Sequence, residues 1–91
     1  MTHTVRDNPG KNRFELELDG QVAFSEYTRD GATLTIRHTE VPKALGGRGV
    51  GSALTRGLLD LVRAQGLKVR PRCPFVASYM DKHPEYADLR V

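Results

Sequence analysis

The sequence predicts an α/β (α+β) domain, in which an antiparallel β-meander is followed by a helix, a short strand and a second helix. Apolar residues alternate with polar ones from residue 13 to residue 41, and their period changes to that of a helix after Pro42. A short apolar strand then follows the glycine that ends this helix. The expected order is therefore β-β-β-α-β-α, with helices packed on a mixed sheet.

The N-terminal segment shows no apolar period. Residues 1 to 11 contain Asn8-Pro9-Gly10, a strong turn signal, and we expect them to be a mobile lead-in. We expect residues 12 to 91 to form one domain, because 91 residues with 38% apolar and 27% charged residues are typical of a single globular unit.

The first hairpin has the clearest strand pattern. Phe14, Leu16 and Leu18 alternate with acidic residues, which predicts a strand with one buried face. The dipeptide Asp19-Gly20 follows directly and is typical of a two-residue type I′ turn.

Two further strands complete the predicted meander. Residues 21 to 28 form the second strand, and a turn at residues 29 to 31 leads to the third, at residues 32 to 41. Leu34 and Ile36 of this third strand alternate with polar residues. Tight turns between consecutive strands indicate antiparallel pairing.

The second half of the chain has a helical period. Apolar residues recur at spacings of three and four from Val50 to Val62, and Gly66 ends the helix. A crossover of this length lets residues 67 to 69 lie parallel to a strand of the meander. Residues 75 to 83 are predicted to form the second helix, which the following proline stops.

Composition excludes several classes of protein. The chain has no apolar run long enough to span a membrane and no signal-peptide pattern, so a cytoplasmic location is the default expectation. Its one cysteine, Cys73, cannot form an internal disulfide. Three scattered histidines and this cysteine lack metal-ligand spacing, so we expect no metal site. A net charge of +3 without a long basic run disfavours a nucleic-acid-binding tail.

The loop before the first helix is rich in glycine, with Gly46, Gly47, Gly49 and Gly51 around Arg48. The first amides of a helix have no internal partner, so a glycine-rich loop at this place can bind a phosphate. It lacks the Gly-Lys-Ser/Thr of a P-loop and the glycine spacing of a dinucleotide fold. The alternative is that these glycines serve only a tight turn and close helix packing.

The loop and its surroundings resemble the GNAT superfamily of N-acetyltransferases. Gly49-Val50-Gly51 matches the second half of the signature Arg/Gln-x-x-Gly-x-Gly/Ala, while Gly46 stands in place of its Arg or Gln. The segments HTEVPKALGGRGVGSAL and VRPRCPFVASYMDKHPEYADL are similar to those of minimal, single-domain GNAT-like acetyl-CoA-binding proteins. The resemblance implies a truncated GNAT-like fold without the early substrate-covering helices of ordinary members.

The resemblance also implies where acetyl-CoA binds. The strand that ends at Val41 would splay from the strand that ends near Arg70, and the pantetheine arm would lie in the gap. Backbone groups near Glu40 and Val41 would pair with that arm. The diphosphate would contact the loop residues Gly46, Gly47, Arg48, Gly49, Val50, Gly51 and Ser52.

Four residues are candidates for the chemistry. The resemblance places Tyr79 where many members have a tyrosine that donates to the coenzyme A sulfur, and it places Cys73 near the thioester. Cys73 could accept the acetyl group or form a mixed disulfide, since neighbouring arginines favour a thiolate. His38 and Glu40 lie two residues apart on one strand face and could act as a base. Each has an alternative structural role in packing or hydrogen bonding.

The resemblance implies an N-acetyltransferase that transfers an acetyl group from acetyl-CoA to an unidentified amine of a small molecule or a protein. We expect the protein to be a monomer or a weak dimer. The alternatives are a non-catalytic module that binds or senses acyl-CoA and, more remotely, a small basic nucleic-acid-binding protein. The last would use Arg48, Arg56, Lys68, Arg70 and Arg72, which lack the interleaved aromatic residues of a stacking platform.

Overall fold

The computed structural model describes residues 4 to 91 and contains a single five-stranded sheet in the order β1-β2-β3-β4-β5. The strands are β1 Val5–Asn8, β2 Arg13–Leu18, β3 Gln21–Asp30, β4 Thr33–Glu40 and β5 Lys68–Pro71. The helices are α1 Val50–Ala64 and α2 Pro74–Lys82, with 3-10 helices at Pro9–Lys11, Lys43–Leu45 and Pro84–Leu89.

The sheet is mixed, as the sequence predicts. Strands β1 to β4 pair antiparallel with their chain neighbours, and β5 pairs parallel with β4. Leu34 lies opposite Val69 in that parallel pair. Helix α1 provides the crossover between the two strands, so the predicted α/β order of the meander, helix and strand is confirmed.

The N-terminal segment differs from its prediction. Val5–Asn8 forms β1, with Val5 opposite Leu16, and a 3-10 helix follows at once, so the predicted lead-in is wrong from Val5 onward. Residues 1 to 3, which include His3, lie outside the described residues. Strand β1 has one apolar side chain and therefore shows no apolar alternation in the sequence. Contacts with distant residues stabilise it instead: the Tyr27 hydroxyl donates to Asp7 over 2.6 Å.

The hairpin between β2 and β3 has the predicted turn. Asp19 and Gly20 have φ angles of 53° and 74°, the left-handed values that a type I′ turn requires at both central residues. Leu18 and Gln21 pair on either side of it. The turn brings the Asp19 carboxylate to the tip of the hairpin, within reach of the glycine-rich loop.

The faces of β3 decide which residues of β4 point into the core. Ala23, Ser25 and Tyr27 are buried, whereas Phe24 and Glu26 of the opposite face are half-buried. A β-bulge between Glu26 and Tyr27 shifts the register, because Tyr27 pairs with Ile36 while Ser25 pairs with Thr39. Thr39 is therefore on the core face with Ile36, while His38 and Glu40 are on the opposite face.

The helices cover the core face of the sheet. Leu54, Leu58 and Val62 of α1 are fully buried, and Val76 and Met80 of α2 join the same apolar cluster. Such a stripe at spacings of four fixes which side of α1 faces the sheet. No helix among residues 4 to 91 is long and apolar enough to cross a membrane.

Candidate functional site

Strands β4 and β5 part halfway along β4. Their pairing ends at Ile36, opposite Pro71, and the backbone amides of Arg72 and Cys73 then both donate to the Ile36 carbonyl, over 3.0 and 2.9 Å. The chain turns into α2 at this point. Residues 37 to 40 consequently have no residue of β5 opposite them, and this part of β4 is an open edge beside the start of α2.

The loop before α1 has a row of unpartnered amides. Within residues 4 to 91, no backbone hydrogen bond is formed by the amides from Gly47 to Ser52, and the amide of Ala53 is the next to bond, to the Gly49 carbonyl over 3.0 Å. Gly49 is the N-terminal cap residue of α1 and makes no side-chain cap bond. The helix dipole adds partial positive charge here, so this end of α1 suits an anion.

Two glycines of the loop have backbone angles that other residues adopt at a cost. Gly47 and Gly49 have φ angles of 74° and 72°, and no atom lies within 4 Å of the place where a Cβ would be. A side chain at either position would therefore extend into open space beside the loop. Glycine here thus serves the backbone conformation and also leaves that space open.

Arg48, the one cation within the loop, is already paired. Its guanidinium donates to the Asp19 carboxylate over 2.7 Å, and about half of each side chain is exposed. An anion bound at the loop would share Arg48 with Asp19. The expected positive charge is therefore present but partly neutralised by the β2–β3 turn.

Cys73 lies at the parting of the strands and is 4% exposed. Its thiol donates to the Thr39 hydroxyl over 3.4 Å, and the Thr39 hydroxyl bonds to the Ser25 hydroxyl over 2.8 Å. Ser25 is fully buried. The three groups form a hydrogen-bonded chain from the buried face of β3 to the beginning of α2.

Thr39 and Ser25 were missed by the sequence reasoning. They come from different strands, and Cys73 comes from a third segment, so no local spacing links them. The available signal was Ser25 itself, a polar residue on the face of β3 that also carries Ala23 and Tyr27. A buried hydroxyl requires a partner, and that partner had to lie on a neighbouring strand.

His38 and Glu40 do lie together. The His38 Nε2 is 4.0 Å from the Glu40 carboxylate, and more than half of each side chain is exposed. The His38 ring meets the Phe24 ring edge to face, with ring centroids 6.4 Å apart. Both residues are thus on the face of β4 opposite Thr39, whereas Cys73 bonds to Thr39 on the core face.

Tyr79 packs against α1. Its ring stacks on the His83 ring with centroids 3.8 Å apart, and burial raises the pKa of the Tyr79 hydroxyl. Tyr79 and His83 line a groove between the two helices, together with Ser52 at the start of α1. The structure therefore places Tyr79 in a groove that reaches Ser52 at the start of α1.

The sequence profile of the GCN5-related N-acetyl-transferases matches residues 13–89, which include the whole sheet from β2 onward, the loop and both helices. The chain belongs to this family. The match confirms the resemblance seen in the glycine-rich loop and in the segment that follows β5. Members of the family typically use acetyl-CoA as the acetyl donor.

Similar proteins include Protein NATD1 of several vertebrates. The human protein is 37% identical over 84 residues, which are 88% of this chain and 74% of that protein. Protein NATD1 of Xenopus tropicalis is 31% identical over 84 residues, which are 88% of this chain and 76% of that one. The similarity thus covers most of both sequences.

A solved structure has the same architecture. The solution structure of a GCN5-like putative N-acetyltransferase from Staphylococcus aureus superposes on the present structure with a TM-score of 0.73 and 27% sequence identity. The superposition covers 99% of this chain and 89% of the Staphylococcus aureus protein. The predicted truncated GNAT-like fold is confirmed by this agreement.

Groups of three or more His, Cys, Asp or Glu side chains able to hold a metal ion do not occur in residues 4 to 91.

Proposed function

We propose that the protein binds acetyl-CoA and transfers the acetyl group to an amine. One observation carries this proposal: the open edge of β4 at residues 37 to 40 leads, through Lys43–Leu45, to the unpartnered amides at the start of α1. Acetyl-CoA combines an extended arm that contains amides with a diphosphate. The two parts of the ligand thus match the two features of the protein in chemistry and in order.

The arm is the part that fits the open edge. An extended chain with amide groups can add to an exposed strand through backbone hydrogen bonds. Residues 37 to 40 offer such an edge, and Val41, which packs on the core, continues it with an apolar surface. Glu40 and Val41 would contribute backbone groups, so the thioester end would come to lie beside Cys73.

The diphosphate fits the loop. Amide donors from Gly47 to Ser52 would surround it, and Arg48 would add a charge-assisted hydrogen bond. The Gly46 amide donates to the Lys43 carbonyl over 3.0 Å, so Gly46 would only border the diphosphate. Gly47 and Gly49 would leave room for the oxygens, because the place of a Cβ is empty at both positions. Val50 and Gly51 would contribute through their amides alone.

Cys73 is the proposed first acceptor. Its sulfur would attack the thioester carbonyl, the bond between that carbonyl and the coenzyme A sulfur would break, and the proton lost from Cys73 would pass to the departing sulfur. The Thr39 and Ser25 hydroxyls can rotate: Thr39 accepts from the thiol, and it can donate to the thiolate while Ser25 donates to Thr39. The chain can thus stabilise both forms of Cys73 without moving the backbone.

His38 and Glu40 are the proposed base for the acceptor amine. Imidazole accepts protons near neutral pH, and Glu40 is close enough to orient and stabilise the charged ring. An amine that approaches from their exposed face would lose its proton to His38 and attack the acetyl carbonyl. The bond between that carbonyl and the Cys73 sulfur would break, and the Cys73 thiolate would take up the proton from His38 through solvent. Tyr79, whose pKa is raised by burial, would donate a hydrogen bond to the coenzyme A sulfur, while the proton that this sulfur gains comes from Cys73.

The test measures release of coenzyme A from acetyl-CoA in the presence of small amines and lysine-containing peptides. We expect Cys73→Ala and His38→Gln to lower turnover by about 100-fold or more, since general-base catalysis alone contributes about this factor. Thr39→Val should lower it less, and Thr39→Ser should restore it. Glu40→Gln is compared with Glu17→Gln, which changes an exposed carboxylate on β2 that has no such role.

Mass spectrometry of the protein incubated with acetyl-CoA alone tests the covalent step. Acetylation of Cys73 that disappears when an amine is added supports the route through the thiol. Turnover that is unchanged in Cys73→Ala would refute that route and leave direct attack by the amine. Saturable binding without turnover with any amine would refute the transferase and favour a module that only binds acyl-CoA.

A further inference from the structure

Phe24 is an aromatic side chain on the face of the sheet opposite the core. It lies on β3 between Ala23 and Ser25, which are fully buried on the other face, and it does not belong to the apolar core cluster. Phe24 is nevertheless half-buried. Other side chains on its own face of the sheet must therefore cover its ring.

Arg13 of β2 covers one side of this ring. The guanidinium carbon of Arg13 lies 4.3 Å from the centroid of the Phe24 ring, a distance at which a cation is attracted to the face of an aromatic ring. The Arg13 side chain is 20% exposed, so water screens this attraction only in part. Arg13 is also fixed from its other side, because its Nε donates to the Glu15 carboxylate over 2.7 Å.

Glu15 anchors Arg13 to the edge of the sheet. It is 5% exposed, and the Asn8 side-chain amide donates to the same carboxylate oxygen over 3.2 Å. The Arg6 Nε lies 3.6 Å from the other oxygen. The hydrogen bond from Arg13 is the largest cause that lowers the pKa of Glu15, which keeps the carboxylate charged near neutral pH. Asn8 and Arg6 belong to β1, so this edge strand holds the anchor in place.

On its other side, Phe24 reaches His38 of β4. The two ring centroids are 6.4 Å apart and the ring planes meet at 68°, an edge-to-face arrangement that aromatic pairs favour. In the register of β3 and β4, Phe24 is opposite Glu40, and His38 is opposite Glu26. Phe24 is thus the diagonal neighbour of His38, within reach of a large side chain. More than half of the His38 side chain is exposed, so few contacts restrict its ring.

We propose that Phe24 and Arg13 position the His38 ring for its role as base, an inference that rests on the proposed function. An exposed side chain samples several staggered rotamers, and contact with a fixed aromatic ring favours one of them. Arg13 fixes the Phe24 ring, and the Phe24 ring in turn fixes the His38 ring beside Glu40. Phe24 and Arg13 do not touch the reacting atoms, so they are positioning residues.

Turnover measured at varied acetyl-CoA and amine concentrations tests this role. Phe24→Leu keeps an apolar side chain and removes the ring. We expect it to lower kcat about tenfold, a part of the factor of about 100 that general-base catalysis contributes, and to leave the KM for acetyl-CoA unchanged. Phe24→Tyr should retain turnover, because its ring can make the same contact. Val22→Ala is the matched control, since Val22 is half-buried on the same face of β3 and lies opposite Glu17.

Nuclear magnetic resonance of the His38 side chain tests the positioning without any ligand. Coupling constants and ring-carbon relaxation report whether the side chain keeps one χ1 rotamer. We expect one dominant rotamer in the wild type, in Phe24→Tyr and in Val22→Ala. Several interconverting rotamers are expected in Phe24→Leu and in Arg13→Gln, which leaves the Phe24 ring present but unsupported. Thermal unfolding checks that each variant is folded.

The outcomes separate this inference from the proposed function. A wild-type His38 that exchanges freely between rotamers, or a single rotamer that persists in Phe24→Leu, overturns the positioning while the transferase stands. Equal loss of turnover in Phe24→Leu and Val22→Ala shows that this face of the sheet only supports the fold, and it overturns the inference as well. A wild type without turnover on any amine overturns the proposed function and this inference together.

Discussion

The two ends of α1 are built in opposite ways. At the C-terminal end, the amides of Gln65, Gly66 and Leu67 donate to carbonyls of the last turn of the helix over 3.0 to 3.1 Å, and Gly66 has the left-handed φ of 70° that such an ending requires. At the N-terminal end, Gly49 provides no side-chain cap, and no acidic residue lies in the first turn.

The C-terminal end is also stabilised by side-chain hydrogen bonds to residues outside the helix. The Tyr86 hydroxyl donates to Asp60, and the Arg63 guanidinium donates to both oxygens of Asp88 over 2.8 and 3.0 Å. No comparable contact satisfies the amides before Val50 within residues 4 to 91. One end of the helix thus contributes stability, whereas the amides at the other end have no backbone partner among the described residues.

The largest expected effect comes from placing a carboxylate at the open end. Gly49→Glu should reduce the affinity for acetyl-CoA at least 100-fold, because the side chain would occupy the space before the amides and repel the diphosphate. Calorimetric titration measures this change. Gly66→Glu is the matched control: Gly66 has nearly the same φ, and the place of its Cβ is equally empty.

Both substitutions should lower the free energy of unfolding by a similar amount, about 1 to 2 kcal/mol, since each puts a side chain in the left-handed region. Only the change at Gly49 should affect binding. Equal loss of binding in both variants would mean that strain, rather than the open amides, determines affinity.

A smaller effect is expected at the C-terminal end of α1. Tyr86→Phe should lower the free energy of unfolding by about 1 to 2 kcal/mol at pH 7, because it removes a hydrogen bond to a charged group. Acetyl-CoA affinity should stay unchanged. Chemical denaturation provides the measurement, and Tyr79→Phe is the control, since its hydroxyl has no hydrogen bond within the described residues.

The pH dependence of this difference follows from the tyrosine itself. Burial and the hydrogen bond to Asp60 raise the pKa of Tyr86 to about 12, from an ordinary value of 10. A group with a raised pKa stabilises the fold fully below its unfolded value and loses this contribution as pH rises through its folded value. The difference in free energy of unfolding between the wild type and Tyr86→Phe should therefore be constant up to about pH 10 and become smaller toward pH 12. A constant gap at pH 12 would contradict this.

The smallest effect concerns the ion pair that holds Arg48. Asp19→Asn keeps a residue that tolerates the left-handed turn and removes the carboxylate. The freed Arg48 should raise acetyl-CoA affinity about twofold at low salt, with little effect at high salt, because exposed ion pairs are weak and screened. Asp30→Asn, an exposed aspartate at the next hairpin, should change nothing. Equal gains in both variants would point to net charge alone.

Local patterns predicted most of the fold. The Asp19-Gly20 turn, the buried stripe of α1 and the parallel placement of β5 each follow from residues close in sequence, and the structure confirms them. The glycine-rich loop was likewise recognisable, because its glycines are contiguous with the start of a helix. Its unpartnered amides are a direct consequence of that position.

What the sequence did not predict depends on contacts between distant segments. Strand β1 has one apolar residue, and Val5 occupies the space that Gly57 leaves on α1, more than fifty positions away. The alignment of Ser25, Thr39 and Cys73 depends on a β-bulge that no propensity reveals. The pairing of Arg48 with Asp19 was not predicted either, since Asp19 lies in another turn.

The order of the strands in the sheet has a kinetic consequence. Every strand lies beside its neighbour in the chain, and β1 to β4 are joined by short connections, so this part of the sheet requires little loop closure. Only β5 must cross over α1 before it pairs. We therefore expect β5 to join last during folding and to detach first during partial opening. Hydrogen exchange should then be faster at Lys68, whose amide donates to the Ala32 carbonyl over 2.8 Å, than at Ala23. The open edge of β4 borders this last-formed pairing, so loss of β5 would lengthen that edge while the meander stays folded.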